Sequence, residues 1–247
     1  MNNHIAIGMI VFMVIALFTC RIWRPWVEKE INVVRPRKGV TDPSAWTIGP
    51  VIPLQSGGTE NSSKNMPLHP AQVADGLLLD MPTPQSEPHY VTFNHGPLAK
   101  NSKITLKVRL DIEAGGQFFA KDGVSQASMC LYFQRQFDDF DATVGNPTGA
   151  MITNVNTQYY RWFATPTALI PLVAGTFTLT ANLADKWTSL RAESEDSLNP
   201  HDGAKWFKGA VDDATEVGFV LGGGDGWGHG IIATKPAKIT ILSFEVA

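Results

Sequence analysis

The most constraining feature of this 247-residue chain is a ten-residue run in which polar and apolar side chains alternate without a fault. From Lys103–Ile112 every second side chain is apolar, which is the pattern of a β-strand with one buried and one solvated face. Residues 176–181 repeat the pattern, and residues 238–246 follow it with a slip at Ile241-Leu242 that indicates a β-bulge. The chain must therefore bury one face of an antiparallel sheet.

Weaker strand patterns recur between turn residues along the rest of the chain. They fall at residues 76–81, 89–95, 116–120, 126–135, 158–165, 215–221 and 229–234. Beyond the N-terminal region, helical patterning is confined to a turn near residues 203–211. About ten strands with turns between them predict a mainly β fold, an antiparallel jelly-roll-like β-sandwich.

The N-terminal segment predicts a single transmembrane helix ahead of this sandwich. Ile5–Cys20 is uncharged and almost wholly apolar, and Arg21 and Arg24 follow it. A helix over residues 5–23 would cover about 28 Å, close to the thickness of the hydrocarbon core of a bilayer. No Lys or Arg precedes the run and no Ala-x-Ala site closes it, so an uncleaved anchor is favoured over a removable signal peptide.

These features divide the chain into an anchor at residues 1–24, a juxtamembrane tether at 25–45 and a sandwich domain at 46–247. Residues 1–40 carry six basic and two acidic side chains, and the whole chain has a formal net charge of −3, so the remainder has a net charge of −7. The basic residues after the span place the C-terminal domain in the cytoplasm by the positive-inside rule. An extracytoplasmic domain stays open as the alternative, because such sandwiches are more familiar outside cells.

The net charge limits the classes of binding partner, and the positions of the two cysteines bear on whether they form a disulfide. An acidic body argues against nucleic acid. Cys20 ends the membrane run and Cys130 lies in an apolar strand-like stretch, so the two are not expected to pair. Cys130 is expected to be a small buried hydrophobic residue.

The glycine-rich segment Gly222–Gly230 is the most conspicuous local motif. It has no G-x-G-x-x-G register and no following helix pattern, which argues against a phosphate-binding loop. The segment predicts a tight crossing between two strands. The alternative is a ligand-binding loop that presents Asp225, Trp227 and His229. No nucleophile motif accompanies Asp225 and His229, so no catalytic residue is assigned.

Clustered carboxylates offer a weak metal site. Asp138, Asp139 and Asp141 could contribute oxygen ligands to Ca²⁺, but the spacing of an EF-hand loop is absent and a solvated acidic turn is favoured. Asp212-Asp213 with Glu216 forms a similar group. No cofactor is expected, and a structural Ca²⁺ ion stays open as an alternative.

Aromatic side chains are a second set of candidate ligand-binding residues, besides the glycine-rich segment. Tyr160, Trp206 and Trp227 are candidates for a platform that stacks on sugar rings or anchors a protein partner.

Two segments resemble a known family. Residues 216–246 combine a strand, a glycine-rich crossing, a short strand and a last alternating strand, and residues 103–119 are similar to an earlier strand pair. Both resemble parts of jelly-roll carbohydrate-binding modules. The resemblance implies a β-sandwich and non-catalytic glycan binding, and it assigns no sugar-contacting residue.

Two hypotheses for function follow. In the first, the chain is a non-enzymatic accessory subunit of a photosynthetic, respiratory or transport assembly, in contact with membrane lipid through residues 5–23 and with other membrane-protein subunits. Small residues Ala6, Gly8 and Ala16 would permit close helix contact in such an assembly. The alternative is a membrane-tethered carbohydrate-binding module, and a glycan-active enzyme is a distant third.

Overall fold

The computed structural model describes one compact unit of the chain, which falls within Lys38–Ala247. The described residues are 42–53, 59–135, 161–165, 167–189, 203–223 and 226–247, without the side chains of Ile52, Pro53, Lys205 and Trp206. The predicted membrane anchor and most of the tether lie outside this range. No helix among the described residues is both long enough and apolar enough to cross a membrane.

Strands dominate the described residues. In chain order they are β1 (Trp46–Gly49), β2 (Val51–Pro53), β3 (Thr59–Asn61), β4 (Ala71–Val73), β5 (Gly76–Met81), β6 (Tyr90–Asn94), β7 (Lys103–Ile112), β8 (Phe118–Ala120), β9 (Ser128–Arg135), β10 (Arg161–Phe163), β11 (Leu169–Pro171), β12 (Gly175–Asn182), β13 (Thr188–Ser189), β14 (Ala214–Gly223), β15 (Gly226–Trp227), β16 (Ile231–Ala233) and β17 (Ala237–Val246). One α-helix, α1 (Gly203–Asp212), and a 3₁₀ turn at Pro43–Ala45 are also present in this part of the chain.

The strands form two main antiparallel sheets. The larger sheet has the order β1-β6-β14-β9-β10-β13, with β11 paired to β9 and β15 paired to β14. The smaller sheet has the order β12-β7-β17-β5-β4, and two short pairs, β16-β8 and β2-β3, complete the described strands. The predicted antiparallel β-sandwich is therefore confirmed at the level of two packed sheets.

The core lies between the two sheets because the alternating strands bury their apolar sides there. In β7, Ile104, Leu106 and Val108 have no exposed surface. Across the interface, the Phe244 ring of β17 contacts the Trp46 ring of the larger sheet, with centroids 5.0 Å apart. Large side chains from both sheets thus interdigitate, as in the interior of a β-sandwich.

The predicted bulge in the last strand is confirmed. The pairing of β17 with β7 shifts register between Ile241 and Ser243, so Leu242 is the extra residue. Ile241 and Phe244 consequently both face the core, with 2% exposure each. A bulge allows an inward alternation to resume after one unpaired residue.

The helical turn predicted near residues 203–211 lies within a longer element, the ten-residue helix α1. Its Phe207 packs against Trp162 and Phe133, with ring centroids 5.0 and 5.7 Å apart. Cys130 is fully buried, as expected, and burial raises the pKa of its thiol.

The comparison of residues 103–119 with a strand pair was wrong in one respect. β7 and β8 do not pair with each other, because β7 lies between β12 and β17 whereas β8 pairs with β16. The turn at residues 113–117 carries the chain out of the smaller sheet.

Candidate functional site

The two faces of the larger sheet have different chemistry. Phe93, Val217 and Phe133 are register partners, and Phe93 contacts Phe244 of the smaller sheet, so this row faces the core. Successive side chains of a strand point to opposite faces. The neighbouring row, which contains Tyr132, therefore points away from the core, and we call this side of the larger sheet the outer face.

The outer face combines aromatic rings with hydrogen-bonding side chains. Register places Glu216, Gln134 and Arg161 in one row across three strands. The members of the outer face used below are Tyr90, Thr92, Tyr132, Gln134, Arg161, Phe163, Glu216 and Trp227. Trp227 belongs to it because β15 pairs Trp227 with Gly222, and directly opposed residues share a face.

Three rings form a continuous strip across the outer face. The centroids of Tyr90 and Tyr132 are 5.1 Å apart, and those of Tyr132 and Phe163 are 5.6 Å apart. All three side chains are buried, with exposures of 4, 1 and 1%. The strip is a rigid base for the polar groups around it.

Arg161 connects the polar groups to this strip. Its Nη1 donates a hydrogen bond to the Tyr90 hydroxyl at 3.3 Å, and its Nε donates to Gln134 Oε1 at 3.3 Å. Gln134 Oε1 also accepts a hydrogen bond from the Tyr132 hydroxyl. A guanidinium held in this way keeps its planar set of donors in a fixed orientation.

Burial shifts the protonation of two groups on the outer face. It raises the pKa of the Glu216 carboxyl, although a hydrogen bond with Thr92 and the charge of Arg161 oppose the shift. It also raises the pKa of the Tyr90 hydroxyl, again against the influence of Arg161. The Tyr90 hydroxyl therefore stays neutral at physiological pH and can both donate and accept a hydrogen bond.

In its described part, residues 222–223 and 226–230, the glycine-rich segment forms the predicted tight crossing between strands. A Cβ atom at Gly223 would lie 2.5 Å from the carbonyl oxygen of Gln126, so two backbones pass very close there. Gly228 has φ +80°, and a Cβ atom on it would lie 1.9 Å from the Tyr90 hydroxyl oxygen. Glycine at this position allows the loop to lie directly on the ring of Tyr90.

A compact ionic cluster supports the same loop from the other side. Glu87 Oε1 lies 2.8 Å from His89 Nε2 and 2.8 Å from Lys121 Nζ. His89 Nδ1 lies 3.0 Å from the Gly228 carbonyl oxygen, and a Cβ atom on Gly230 would lie 2.6 Å from the imidazole. The side chains of Glu87 and His89 are buried, with 11% and 8% exposure.

Opposing effects act on the pKa values of this cluster. Burial lowers the pKa of His89, and the Glu87 carboxylate and the Gly228 carbonyl act against that shift. Burial tends to raise the pKa of Glu87, but hydrogen bonds from Lys121 and His89 outweigh it, so the Glu87 pKa lies below its usual value. Glu87 is therefore ionised at neutral pH.

The structure describes part of the predicted site. Trp227 is half-buried on the outer face, and His229 is exposed on the loop beside it. Trp206 belongs to α1, but its side chain is outside the described atoms. Asp225, Tyr160 and the calcium candidates Asp138, Asp139 and Asp141 all lie outside the described residues.

Within the described residues, no group of three His, Cys, Asp or Glu side chains comes together to hold a metal ion. The predicted group at residues 212–216 is dispersed. Asp212 forms an ion pair with Lys208 in α1, whereas Glu216 lies on the outer face.

Sequence reasoning missed most of the outer face. Tyr90, Gln134 and Arg161 were not candidates, because the sequence around each of them does not show which side chains share a face of the sheet. The signal that could have found Gln134 is the change at the end of β9, where the largely apolar residues 129–133 are followed by two polar residues, Gln134 and Arg135.

Comparison with known proteins gives a weak resemblance of fold. No protein-family model and no curated protein matches the chain. The xylan-binding module CBM15 is 14% identical, and the match covers 84% of this chain and 96% of that chain with a TM-score of 0.36. A mutant Xylanase10C from Cellvibrio japonicus in complex with xylopentaose is 13% identical, and the match covers 83% of this chain and 28% of that chain with a TM-score of 0.36. The resemblance to carbohydrate-binding modules noted in the sequence is thus confirmed as a weak fold resemblance.

Proposed function

We propose that the sandwich domain binds a glycan on the outer face of its larger sheet and does not act on it chemically. One observation carries the proposal. Aromatic rings and hydrogen-bonding side chains share a sheet face that is turned away from the core, and Arg161 joins the two kinds of group through Tyr90 and Gln134. In the described part of the chain, this face lies opposite the face that packs on the smaller sheet.

The chemistry of this face matches the chemistry of sugars. A pyranose ring offers adjacent hydroxyl groups, which pair well with the fixed donors of Arg161 and the carboxylate oxygens of Glu216. It also offers an apolar C–H surface, which packs on aromatic rings such as that of Trp227. Ligand sites commonly combine apolar walls with a few placed polar groups.

The solvent-accessible side chains of the outer face indicate where a sugar would make contact. Arg161, Glu216 and Trp227 are all partly exposed, whereas Tyr90 and Tyr132 are buried behind them. We assign direct sugar contact to the three partly exposed side chains. The buried tyrosines hold the Arg161 guanidinium in place.

A binding role is favoured over glycan cleavage. Glycosidases commonly need two carboxyl groups held across the scissile bond. Among the described strands of the larger sheet, Glu216 has no second carboxylate beside it on the outer face. The role as an accessory subunit of a membrane assembly stays a prediction, because residues 5–23 lie outside the described residues.

The test is binding of the full-length chain, in mild detergent, to soluble β-glucan, xylan, mannan and a polyuronate by affinity electrophoresis. We expect retardation by at least one of these polysaccharides. R161Q should weaken the interaction by at least about tenfold, since a lost hydrogen bond to a charged group contributes about 1.5–3 kcal/mol. W227A should also weaken it, because the sugar loses the aromatic surface on which it packs.

The matched control is R109Q. Arg109 lies half-exposed in the smaller sheet, where it pairs with Asp75 and Asp111, and its loss should leave binding unchanged. Absence of binding to all four polysaccharides, or equal weakening by R161Q and R109Q, would contradict the proposal.

A further inference from the structure

His89 connects the glycine-rich loop to a buried ion pair. Its Nδ1 faces the Gly228 carbonyl oxygen at 3.0 Å, and its Nε2 faces Glu87 Oε1 at 2.8 Å. Both contacts are within hydrogen-bond distance, and both partners are acceptors. The imidazole therefore lies between two groups that each require a proton from it.

The protonation state of His89 decides how many of these contacts can be hydrogen bonds. A neutral imidazole has a single N–H and serves one acceptor, whereas an imidazolium has two and serves both. The ionised carboxylate of Glu87 is the stronger acceptor. In the neutral state the proton stays on Nε2, and the lone pair of Nδ1 then faces the Gly228 carbonyl oxygen.

The loop held by His89 leads directly into the outer face. Gly228 follows Trp227 in the chain and lies against the Tyr90 hydroxyl, which also accepts the hydrogen bond from Arg161. Gly230 packs on the His89 ring itself. A shift of this loop would move Trp227 relative to the groups that surround Tyr90.

We infer that His89 is a positioning residue that holds the loop of residues 226–230 against Tyr90 when its imidazole is doubly protonated and loosens it when the imidazole is neutral. The consequence for glycan affinity rests on the function proposed above, whereas the movement of the loop does not. The loop also retains hydrogen bonds from the amides of Gly228 and Gly230 to the Leu221 carbonyl, so deprotonation loosens it without unfolding the sheet.

The charges that face this imidazole come from several segments. Glu87 approaches from the segment before β6, and Lys121 reaches Glu87 from the segment after β8. Lys64 pairs with Glu87 through a backbone bridge, and its side chain is exposed. His229 is adjacent on the loop and exposed, so its own titration has to be separated experimentally from that of His89.

Burial lowers the pKa of His89 from its usual value, so the doubly protonated state belongs to acidic conditions, whereas the contact with the Gly228 carbonyl raises the pKa. Because this contact raises the pKa, protonation of His89 strengthens the hold on the loop and deprotonation weakens it. We expect the loop to be better protected near pH 5 than near pH 8. Hydrogen exchange followed by mass spectrometry on the full-length chain measures this directly. After correction for intrinsic exchange, amides in residues 227–231 should exchange about fivefold faster at the higher pH, the factor that follows from one net hydrogen bond.

Two substitutions at position 89 separate the two ring nitrogens. In H89N the amide nitrogen takes the place of Nδ1 and donates to Gly228, so the loop should stay protected at both pH values. In H89Q the amide reaches toward Glu87 in place of Nε2, so the loop should exchange fast at both. H229Q is the matched control and should keep the pH dependence of the wild type.

Exchange in β7, measured in the same samples, reports global unfolding and should not follow the loop. A loop whose protection does not change with pH in the wild type, or equal exchange in H89N and H89Q, would overturn the inference. Loss of the pH dependence in H229Q would do the same.

A second measurement distinguishes this inference from the proposed function. If a polysaccharide binds, its affinity for the wild type should fall more steeply between pH 5 and 8 than its affinity for H89N, because any contribution of Glu216 is common to both chains. Binding without pH dependence, alongside an unchanged loop, would overturn the inference and leave the proposed function standing. A pH-dependent loop in a chain that binds no polysaccharide would support the inference and contradict the function.

Discussion

The guanidinium of Arg161 lies over the ring of Tyr90, with Cζ 4.8 Å from the ring centroid and Nη1 3.3 Å from the hydroxyl oxygen. These residues belong to β10 and β6, which are separated in the sheet by β9 and β14. Between these strands, Gly218 of β14 is the register partner of Thr92 and Tyr132 and presents no side chain on the outer face. A cation held over an aromatic ring in a sheltered site contributes about 0.5–2 kcal/mol.

Substitution Y90F tests this contact by removing one oxygen atom. The buried ring remains, but the hydrogen bond from Arg161 Nη1 to the Tyr90 hydroxyl is removed. We expect the free energy of unfolding to fall by about 1–2 kcal/mol and glycan binding to weaken, because a hydrogen bond from a charged donor is lost. Urea denaturation of the purified chain gives the first quantity. Unchanged stability together with unchanged binding would show that the contact between Arg161 and Tyr90 contributes to neither.

Substitution G228A tests the packing of the glycine-rich loop on Tyr90. The new Cβ atom would lie 1.9 Å from the Tyr90 hydroxyl oxygen, so the loop or the ring must move. G123A is the matched control, since Gly123 has a similar φ of +73° but nothing within 4 Å of the added atom. The control should cost about 1–2 kcal/mol from backbone conformation alone. Thermal unfolding should show a clearly larger loss for G228A, and equal losses would contradict the packing.

Substitution F244A tests the contact between the sheets. Phe244 is 2% exposed and packs on Trp46 and Phe93, so its truncation leaves a cavity in the core. We expect a loss of about 3–5 kcal/mol in the free energy of unfolding. V124A, at a side chain that is 80% exposed, should change stability by less than about 0.5 kcal/mol. Similar effects of the two substitutions would be incompatible with a sandwich core at Phe244.

Substitution E216Q should weaken glycan binding and stabilise the fold at neutral pH. Burial raises the pKa of Glu216 above 4.5, so the folded state holds the proton more tightly than the unfolded state. This contribution stabilises the fold below pH 4.5 and is lost as pH rises through the folded pKa. E216Q should therefore be more stable than the wild type at neutral pH and lose that advantage in acid, while it binds glycan more weakly. A stability difference that does not vary with pH would refute the assignment.

The strands that could be predicted from the sequence are those with one solvent-exposed face. β7 and β17 alternate cleanly because their outer sides meet solvent, and even the bulge at Leu242 was visible as a slip in the pattern. β9 and β14 are different. Their outer sides are also buried, so six consecutive residues of β9, Met129–Gln134, are buried and no alternation reveals which side chain faces which way.

The candidate site was predictable only in part, because its parts come from distant segments. Trp227 stood out as an aromatic residue among glycines. Its surroundings depend on pairs such as His89 with Gly228, which are 139 positions apart, and Tyr90 with Arg161, which are 71 apart. Such pairs are created by strand order, and local patterns contain no information about it.

Glycan binding on the outer face is tested most directly by a glycan titration followed by NMR on the chain with isotope-labelled arginine and tryptophan. The polysaccharide that binds most tightly in electrophoresis would supply the oligosaccharide. We expect the Arg161 Nε–H and Trp227 indole signals, assigned with R161Q and W227F, to shift together with saturation, while the Arg109 Nε–H signal stays fixed. Saturable shifts at Arg109 with none at Arg161 or Trp227 would contradict it.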